Sequence, residues 1–161
     1  MPTVGKQANG ALPVEASVCN GTALRKATRR VSQLYDAVLA PSGLRSTQRS
    51  ILIHIARAGT PSMGELAAAL VLDRSALAHN LKPLERDGFV AIVADPTDRR
   101  SRLVGLTDAG KAKLRETQDL WKDAQHRFET AFGSNRAQAL REVLAQIAAP
   151  EFAEAFERAG R

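Results

Sequence analysis

The residues best suited to chemistry lie in one short segment, Asp95-Pro96-Thr97-Asp98-Arg99-Arg100-Ser101-Arg102, whose composition is typical of a turn. It carries three arginines within four residues, and so many positive charges at an exposed tip repel one another unless they meet anions. The narrow minor groove of DNA has a strongly negative potential that attracts inserted arginine. Asp98 is placed to hold a neighbouring guanidinium by a charge-assisted pair. The segment therefore predicts a contact with DNA, and the alternative is a turn that serves solubility.

A predicted helix before this turn carries a second group of polar side chains on one face. Leu77, Leu81 and Leu84 share the other face and are expected to pack into the core. A helix that enters the DNA major groove, roughly 12 Å wide, needs small or hydrogen-bonding side chains on its outward face. The alternative is the solvated polar face of an ordinary helix. The outward residues are Arg74, Ser75, Ala78, His79, Lys82 and Arg86.

The side chains of the helix and the turn have different expected partners on double-stranded DNA. Lys82 and Arg99 are expected to contact phosphates, and Arg74 can contact either a base or a phosphate. Base contacts carry the sequence information, whereas phosphate contacts set position. The expected base readers are Ser75, Ala76, His79 and, in the minor groove, Arg100.

The helices that must position these groups follow from apolar periodicity and from residues that begin or end helices. An apolar stripe with spacings of three and four predicts the first helix. Ser62 and Glu65 form a capping box that begins a short third helix, and Asp73 caps the fourth. The predicted helices cover about residues 24–38, 46–57, 63–70 and 74–87.

The pattern changes after the fourth helix. Residues 89–94 are rich in β-branched side chains, and residues 102–106 have the pattern of a return strand, which predicts a hairpin. Thr107 is predicted to cap a long helix, and a last helix after Gly133 is interrupted by Pro150. The long helix repeats large apolar residues every seven positions, at Leu114, Trp121 and Phe128.

This order of elements predicts a mainly α protein with a small β-hairpin wing, in which a winged helix-turn-helix is flanked by longer amphipathic helices. The flanking helices carry too much apolar surface for a monomer, which favours a homodimer, and core within one chain is the alternative. A two-fold dimer implies a palindromic site with half-sites about one helical turn (10–10.5 bp) apart. The apolar stripes cover residues 24–38, 114–132 and 140–156.

Length and composition limit the classes of protein that remain. The chain has 161 residues, 44% of them hydrophobic, which fits one globular domain. It lacks an apolar run of the ~18–20 residues that span a bilayer, and its N-terminus lacks the pattern of a signal peptide. We therefore expect a cytoplasmic protein without a membrane partner. The net charge of +6 at pH 7 suggests a polyanion as partner, most often nucleic acid.

No catalytic or metal-binding pattern occurs in the sequence. The three histidines lack metal-ligand spacing, and the single cysteine excludes an intrachain disulfide. Glycine-rich phosphate loops, nucleophile elbows and HExxH motifs do not occur. We therefore expect neither an enzyme nor a cofactor. A protein-interaction module that does not bind DNA is the alternative from another class, and it leaves the arginines of the turn unexplained.

Several short motifs follow one another along residues 20–148 with almost no gaps, and they are most specific from Leu84 to Gly110. They are residues 43–48, 65–67, 72–77, 84–90, Asp95 with 98–101, and 106–110. Together they resemble the multiple-antibiotic-resistance regulator (MarR) family of bacterial transcription factors. The resemblance implies a homodimer whose first and last helices intertwine, with two DNA-binding lobes. It also implies a repressor that covers promoter palindromes until a ligand or an oxidant changes the spacing of the lobes.

The resemblance assigns expected roles to parts of the chain. The helix from Asp73 to Asp87 is similar to the recognition helix of the family. Arg100 matches the arginine that enters the minor groove, and Asp98 matches the carboxylate that steadies the wing. The implied regions are a helical dimerisation region (16–42 and 108–158) and a winged helix-turn-helix DNA-binding region (44–107). The glycines, prolines and few large apolar residues at the start of the chain separately predict a flexible arm (1–15).

The residues of the first two helices are compatible with two kinds of regulatory signal. Cys19 lies near the start of the first helix, where a helix N-terminus and nearby cations favour the reactive thiolate, so an oxidant-sensing regulator is one alternative. In the hydroperoxide-sensing branch of the family, the sensing position counted back from Tyr35 falls on Gly21, two residues from Cys19. Regulation by a small anionic or aromatic effector is the other alternative. The cationic side chains of the first helix could bind such an effector, but they can equally contact the DNA backbone or stay solvated. The candidate effector residues are Arg25, Arg29, Tyr35, Arg49 and His54.

Overall fold

Residues 19–160 are described by the computed structural model, and they form eight α-helices and one two-stranded antiparallel sheet. This confirms the predicted fold class, mainly α with a small β-hairpin wing. The predicted arm, residues 1–15, lies outside the described residues. The helices are α1 (Asn20–Leu39), α2 (Ser46–Ala58), α3 (Met63–Ala69), α4 (Arg74–Arg86), α5 (Asp108–Glu116), α6 (Gln118–Phe132), α7 (Ser134–Ala148) and α8 (Pro150–Ala159), and the strands are β1 (Val90–Ala94) and β2 (Arg102–Leu106).

One apolar core joins α2, α3, α4 and the hairpin, and it forms because each helix presents leucine or isoleucine on one face. The predicted capping box begins α3: Ser62 Oγ accepts the Glu65 N–H at 3.2 Å, and the Glu65 carboxylate accepts the Ser62 N–H at 2.8 Å. The hairpin closes the core with Val90 opposite Leu106. The largest fully buried side chains of this core are Leu52, Ile55, Leu66, Leu77, Leu81, Leu84 and Val104.

The first helix supplies the cap of the second. Asp36 Oδ1 on α1 accepts both the N–H and the hydroxyl of Ser46, at 2.7 and 2.6 Å. The Gln48 side chain adds a local cap, because its Oε1 accepts the Arg45 N–H at 2.9 Å. A carboxylate at this end also complements the positive pole of the α2 dipole. These bonds join α1 and α2 across the 3-10 turn Ala40–Ser42 that connects them.

A close backbone contact fixes α5 on the hairpin. The Thr107 hydroxyl donates to the Gly88 carbonyl at 2.6 Å and accepts the Gly110 N–H at 3.0 Å, which confirms Thr107 as the cap. The Thr107 N–H donates to the Phe89 carbonyl at 3.1 Å. A Cβ at position 110 would overlap the Phe89 carbonyl oxygen. Only glycine therefore allows the first turn of α5 to lie this close to the start of β1.

The long helix predicted after Thr107 is divided at Thr117 into α5 and α6, although Thr117 keeps α-helical torsion angles, its N–H donates to the Lys113 carbonyl and its carbonyl accepts the Trp121 N–H. Thr117 is fully buried, and its hydroxyl donates to the Leu114 carbonyl at 2.9 Å. A threonine hydroxyl that bonds back to a carbonyl of its own helix slightly destabilises the helix and often bends it. The repeat of Leu114, Trp121 and Phe128 runs across the break, so the apolar pattern alone could not reveal it.

The turn between α3 and α4 holds a strained valine. Val71 has a φ of 53°, in the left-handed region that β-branched residues avoid. Its N–H donates to the Ala68 carbonyl at 3.1 Å, and the Leu72 N–H donates to the Ala67 carbonyl at 2.9 Å. This is the Schellman pattern, in which glycine usually occupies the left-handed position. The Val71 side chain is 69% exposed, so little packing offsets the strain.

Replacing Val71 with glycine is expected to raise the free energy of unfolding by about 0.5–1 kcal/mol. Relief of a left-handed conformation worth ~1–2 kcal/mol exceeds the extra unfolded-chain entropy of glycine, ~0.5–1 kcal/mol. Urea denaturation followed by circular dichroism measures the difference. Val93→Gly is the matched control, because Val93 is 52% exposed but lies in an extended strand, and there glycine should destabilise. Equal losses in the two variants would contradict strain at Val71.

The helices at the two ends of the chain leave an apolar groove. α1 packs along α6, where the Tyr35 and Phe128 rings meet edge to face with centroids 6.4 Å apart. Toward its beginning, α1 forms one wall of a groove of about 640 Å³ whose other wall comes from α7 and α8. In the described part of the chain, no helix combines the length and the apolarity needed to cross a membrane. The exposed large apolar residues of the groove are Leu24, Ile147, Phe152 and Phe156.

Candidate nucleic-acid interface

The fourth helix presents its polar face to solvent because its apolar face is buried in the core. Leu77, Leu81 and Leu84 are fully buried, and Asp73 Oδ1 caps the helix by accepting the Ala76 N–H at 2.7 Å. Five of the six residues predicted to face outward are exposed, and the sixth, Ala78, is half-buried. Of the predicted DNA contacts on α4, Arg74, Ser75, His79 and Lys82 are exposed and Ala76 is half-buried.

Arg74 does not extend freely from the start of α4. An ideal Cβ at Gly64 would lie 3.6 Å from Arg74 Nη2, so the guanidinium rests over the first turn of α3. The structure therefore places Arg74 beside α3, and any base contact needs the side chain to swing away from this position.

Two aspartates build the tip of the hairpin, residues 95–101. Asp95 Oδ1 accepts the Thr97 N–H at 2.8 Å and the Thr97 hydroxyl at 2.7 Å, and these bonds, the hydroxyl first, hold the pKa of Asp95 below its ordinary value. Asp98 Oδ1 accepts the backbone N–H of Arg100 at 3.0 Å. The predicted pair of Asp98 with a guanidinium is wrong, since the carboxylate binds the backbone instead. The tip is therefore shaped by acceptors that turn the chain and leave the arginine side chains outside.

The arginines of the tip are available to an anion. Arg99, Arg100 and Arg102 are all exposed. None of the three forms an ion pair with another residue of the described range. The hairpin thus presents three guanidinium groups that form no ion pair with Asp95 or Asp98, and a polyanion could bind them.

A cavity of about 420 Å³ lies between α1, α2 and the start of α6, and it brings together Tyr35, Arg49 and His54. The other two candidate effector residues, Arg25 and Arg29, are exposed on α1 and do not line it. A helical rise of ~1.5 Å per residue places them about 15 and 9 Å along α1 from Tyr35, so the structure does not bring them together with Tyr35, Arg49 and His54. Within residues 19–160, no group of three His, Cys, Asp or Glu side chains could hold a metal ion.

Arg49 forms the wall of this cavity next to the break between α5 and α6. It is only 6% exposed, and burial lowers its pKa. Its Nε donates to Thr117 Oγ1 and its Nη2 to Gln118 Oε1, both at 3.1 Å, and its Cζ lies 4.9 Å from the centroid of the Trp121 ring. Arg49 forms no ion pair with any carboxylate of the described range. The wall of the cavity therefore carries a buried cation without a counter-ion.

Cys19 is the N-cap of α1 and is exposed. Its Sγ accepts hydrogen bonds from the hydroxyl and the backbone N–H of Thr22, at 3.3 and 3.4 Å. These donors, the hydroxyl first, favour the thiolate and lower the pKa of Cys19. The sequence predicted that Cys19 lies near the N-terminus of a helix, but it did not single out Thr22 as a hydrogen-bond donor to Cys19.

The chain is similar to known proteins both in sequence and in structure. The sequence pattern of the MarR family matches residues 42–101. The transcriptional regulator MOSR of M. tuberculosis, solved in complex with DNA, is 34% identical, and the alignment covers 85% of this chain and 97% of that one with a TM-score of 0.75. The chain belongs to the MarR family.

Two further relatives extend the comparison. A transcriptional repressor named CouR, solved bound to a 23-mer DNA duplex, is 31% identical, with 84% of this chain and 96% of that one aligned at a TM-score of 0.75. The transcriptional activatory protein BadR of Rhodopseudomonas palustris is 42% identical over 72 residues, which are 43% of this chain and 41% of BadR. The chain thus matches less than half the length of BadR.

Membership in the MarR family confirms the prediction that the protein is a DNA-binding transcriptional regulator and not an enzyme. It also favours DNA binding over the interaction module. The sequence placed Asp95 in the turn but did not predict its hydrogen bonds to Thr97, which shape the tip. These bonds could have been predicted, because aspartate two residues before threonine at the start of a turn is a known turn signal.

Proposed function

We propose that this MarR-family protein is a homodimeric repressor that binds palindromic promoter DNA and leaves it when a small effector binds. One observation carries the DNA-binding part: an outward donor face on α4 is backed by fully buried leucines and followed by an arginine-rich tip without ion pairs. Two relatives above 30% identity, MOSR and CouR, were solved on DNA. The proposed DNA-binding region is residues 44–107.

The contacts proposed for DNA follow the chemistry of each side chain. Ser75, Ala76 and His79 read base edges in the major groove, and Arg100 enters the minor groove. Arg99, Lys82 and helix N-termini hold phosphates. Arg74 takes either role once it leaves its place over α3. Asp98 acts through the backbone of Arg100, where it fixes the direction in which that side chain leaves the tip.

The proposed dimer uses residues 16–42 and 108–158, the helices at the two ends of the chain. Their apolar groove exposes side chains as large as Phe156, which is 74% exposed in a single chain. A second copy that covers the groove would remove this surface from water, at about 25 cal/mol for each Å² of apolar area buried. α5 contacts both α2 and β2, so it transmits the dimer geometry to the DNA-binding region.

The proposed effector site is the cavity lined by Tyr35, Arg49 and His54, with Arg57 and Trp121 beside them. Its walls combine guanidinium groups with aromatic rings. A small anion with an aromatic ring suits both, because guanidinium binds carboxylate and rings stack on rings.

Selection of random duplex DNA by the purified protein at near-physiological salt tests the proposal. We expect recovery of a palindrome with half-sites about one helical turn (10–10.5 bp) apart. The selected sequence then locates candidate promoters, and transcription in vitro distinguishes repression from activation. Recovery of no motif, with binding that only falls with added salt, would contradict sequence-specific binding by a dimer.

Oxidant sensing through Cys19 is a second candidate function, favoured by the two hydrogen bonds that its Sγ accepts. A lowered pKa keeps more thiolate at a given pH, so alkylation by iodoacetamide should reach its half-maximal rate at lower pH than in Thr22→Val. Peroxide should release wild-type protein from its operator and leave Cys19→Ser bound. Release of both proteins alike would exclude Cys19 as the sensor.

A further inference from the structure

The fourth helix holds a proline inside it. α4 runs from Arg74 to Arg86, and Pro83 lies within this range. Proline is the least favourable residue in the interior of an α-helix, because it lacks an N–H and its ring collides with the carbonyl one turn earlier. The helix nevertheless continues past it, since Leu84 is fully buried and the Asp87 N–H donates to the Pro83 carbonyl at 2.9 Å. An unfavourable residue thus occupies the helix that is proposed to read DNA, and rules of local structure are most often broken at functional sites.

The proline frees one main-chain acceptor. In a regular α-helix, the N–H of residue 83 would donate to the carbonyl of His79, four positions earlier. Pro83 has no N–H, so the His79 carbonyl lacks this donor, and the clash with the proline ring tilts it away from the helix axis. A main-chain carbonyl left in this way takes its hydrogen bond from water or from a ligand.

This acceptor belongs to the side of α4 that faces solvent. His79 is exposed, and Pro83 follows it by about one turn and is half-buried at the edge of the same face. The fully buried Leu77 marks the opposite side. Beyond the proline, Arg86 Nε donates to Asp87 Oδ1 at 2.9 Å, so that guanidinium already has a carboxylate partner. The freed carbonyl is therefore placed among the side chains that are proposed to read base edges.

An acceptor adds a chemistry that most outward side chains of α4 lack. Arg74, Lys82 and Arg86 only donate hydrogen bonds, and Ala78 neither donates nor accepts through its side chain. Such donors suit guanine and thymine, whose major-groove edges present acceptors. Adenine and cytosine each present an exocyclic amino group there, which is a donor and needs an acceptor. A main-chain carbonyl supplies one, and it has no side-chain rotamer to order on binding.

We propose that the His79 carbonyl, freed by Pro83, accepts a hydrogen bond from the exocyclic amino group of an adenine or a cytosine in the major groove. This inference rests on the proposed function, because it concerns the proposed DNA contact of α4. Pro83 is then a positioning residue that determines specificity without touching a base, since it acts by withholding an N–H from the helix. The imidazole of His79 remains a separate reader of DNA.

Base analogues that lack only the amino group test this contact. In one half-site of the selected operator, each adenine is replaced in turn by purine and each cytosine by 2-pyrimidinone, and binding is measured by fluorescence anisotropy. Wild type should bind about 3- to 10-fold more weakly at one replaced base, as the loss of one hydrogen bond predicts. A response to purine identifies adenine as the donor, and a response to 2-pyrimidinone identifies cytosine. Pro83→Ala supplies the missing N–H and returns the carbonyl to the helix, so it should respond less than about 2-fold to the same replacement.

Two further variants separate the main chain from the side chains. Pro83→Gln supplies the same N–H with a different side chain, so it should match Pro83→Ala, and it takes the place of that variant if Pro83→Ala fails to fold. His79→Ala removes the imidazole but keeps the proline and the carbonyl, so its binding should still fall on the same base replacement. Alanine and glutamine are far better helix formers than proline, so urea denaturation should find both Pro83 variants at least as stable as wild type.

An equal response of wild type and Pro83→Ala to every base replacement would overturn the contact. So would a response that disappears in His79→Ala, because it would then belong to the imidazole. Recovery of a palindrome together with an equal response leaves the proposed function intact and removes this inference alone. Recovery of no palindrome contradicts the proposed function itself, and the contact with it.

Discussion

Gly110→Ala is expected to lower the free energy of unfolding by about 3 kcal/mol or more, a large part of the ~5–15 kcal/mol that a domain of this kind possesses. The added Cβ would overlap the Phe89 carbonyl oxygen, which is backbone and cannot rotate away. To make room, α5 must lift from the hairpin. That movement breaks the bonds from Thr107 to Gly88 and Phe89. Urea denaturation of wild type and variant measures the loss.

Gly105→Ala is the matched control for this prediction. Gly105 lies in β2 of the same hairpin, and a Cβ there would lie 3.7 Å from Thr60 Cγ2, an ordinary contact. We expect its effect to stay within about 1 kcal/mol, because alanine is tolerated in a strand where no atom is displaced. If Gly110→Ala and Gly105→Ala unfold at the same urea concentration, the close approach of α5 to Phe89 does not govern stability.

The largest functional effect is expected for Arg100→Ala, which should weaken operator binding about 10- to 100-fold. Arg100 is exposed and forms no ion pair with the described residues, so its removal should not disturb folding. The loss arises because the guanidinium no longer reaches the negative potential of the minor groove. Fluorescence anisotropy with the selected operator, at several salt concentrations, measures both the affinity and its salt dependence.

Arg102→Ala carries the same change of charge and separates position from net charge. Arg102 begins β2, where it pairs with Ala94 at the base of the tip. A general electrostatic effect would weaken binding equally in the two variants. Insertion in the minor groove requires a larger loss for Arg100→Ala, together with a changed preference for A·T pairs at the contacted step. Equal losses and an unchanged preference would contradict the assigned role of Arg100.

The parts of the fold that could be predicted are those set by neighbours in sequence. Ser62 and Glu65 cap α3 from three residues apart, and the leucines of α4 recur on one face, so periodicity and spacing suffice. The break at Thr117 could not be predicted in this way. Its hydroxyl accepts from Arg49, 68 positions away, and no local pattern contains that partner.

The candidate site was predictable to a similar degree. The outward face of α4 follows from the same helical period that buries Leu77 and Leu81. Asp98 was recognised as a residue of the tip, but its partner was wrong, because a short side chain meets its own backbone before it reaches a guanidinium. Arg25 and Arg29 were candidates because their spacing of four places two cations on one helical face, but the distance along α1 separates them from the cavity that Tyr35 lines.

The bond from Asp36 to the start of α2 has a consequence for how this protein can be divided and how it can evolve. A fragment cut after α1 would begin α2 without the acceptor for the Ser46 N–H and hydroxyl. The DNA-binding region is therefore not a portable module, since part of its own first helix is completed from outside it. Chimaeras that join this region to the first helix of another regulator should keep an acidic residue at position 36. Across related sequences, the residues at 36 and 46 are expected to change together.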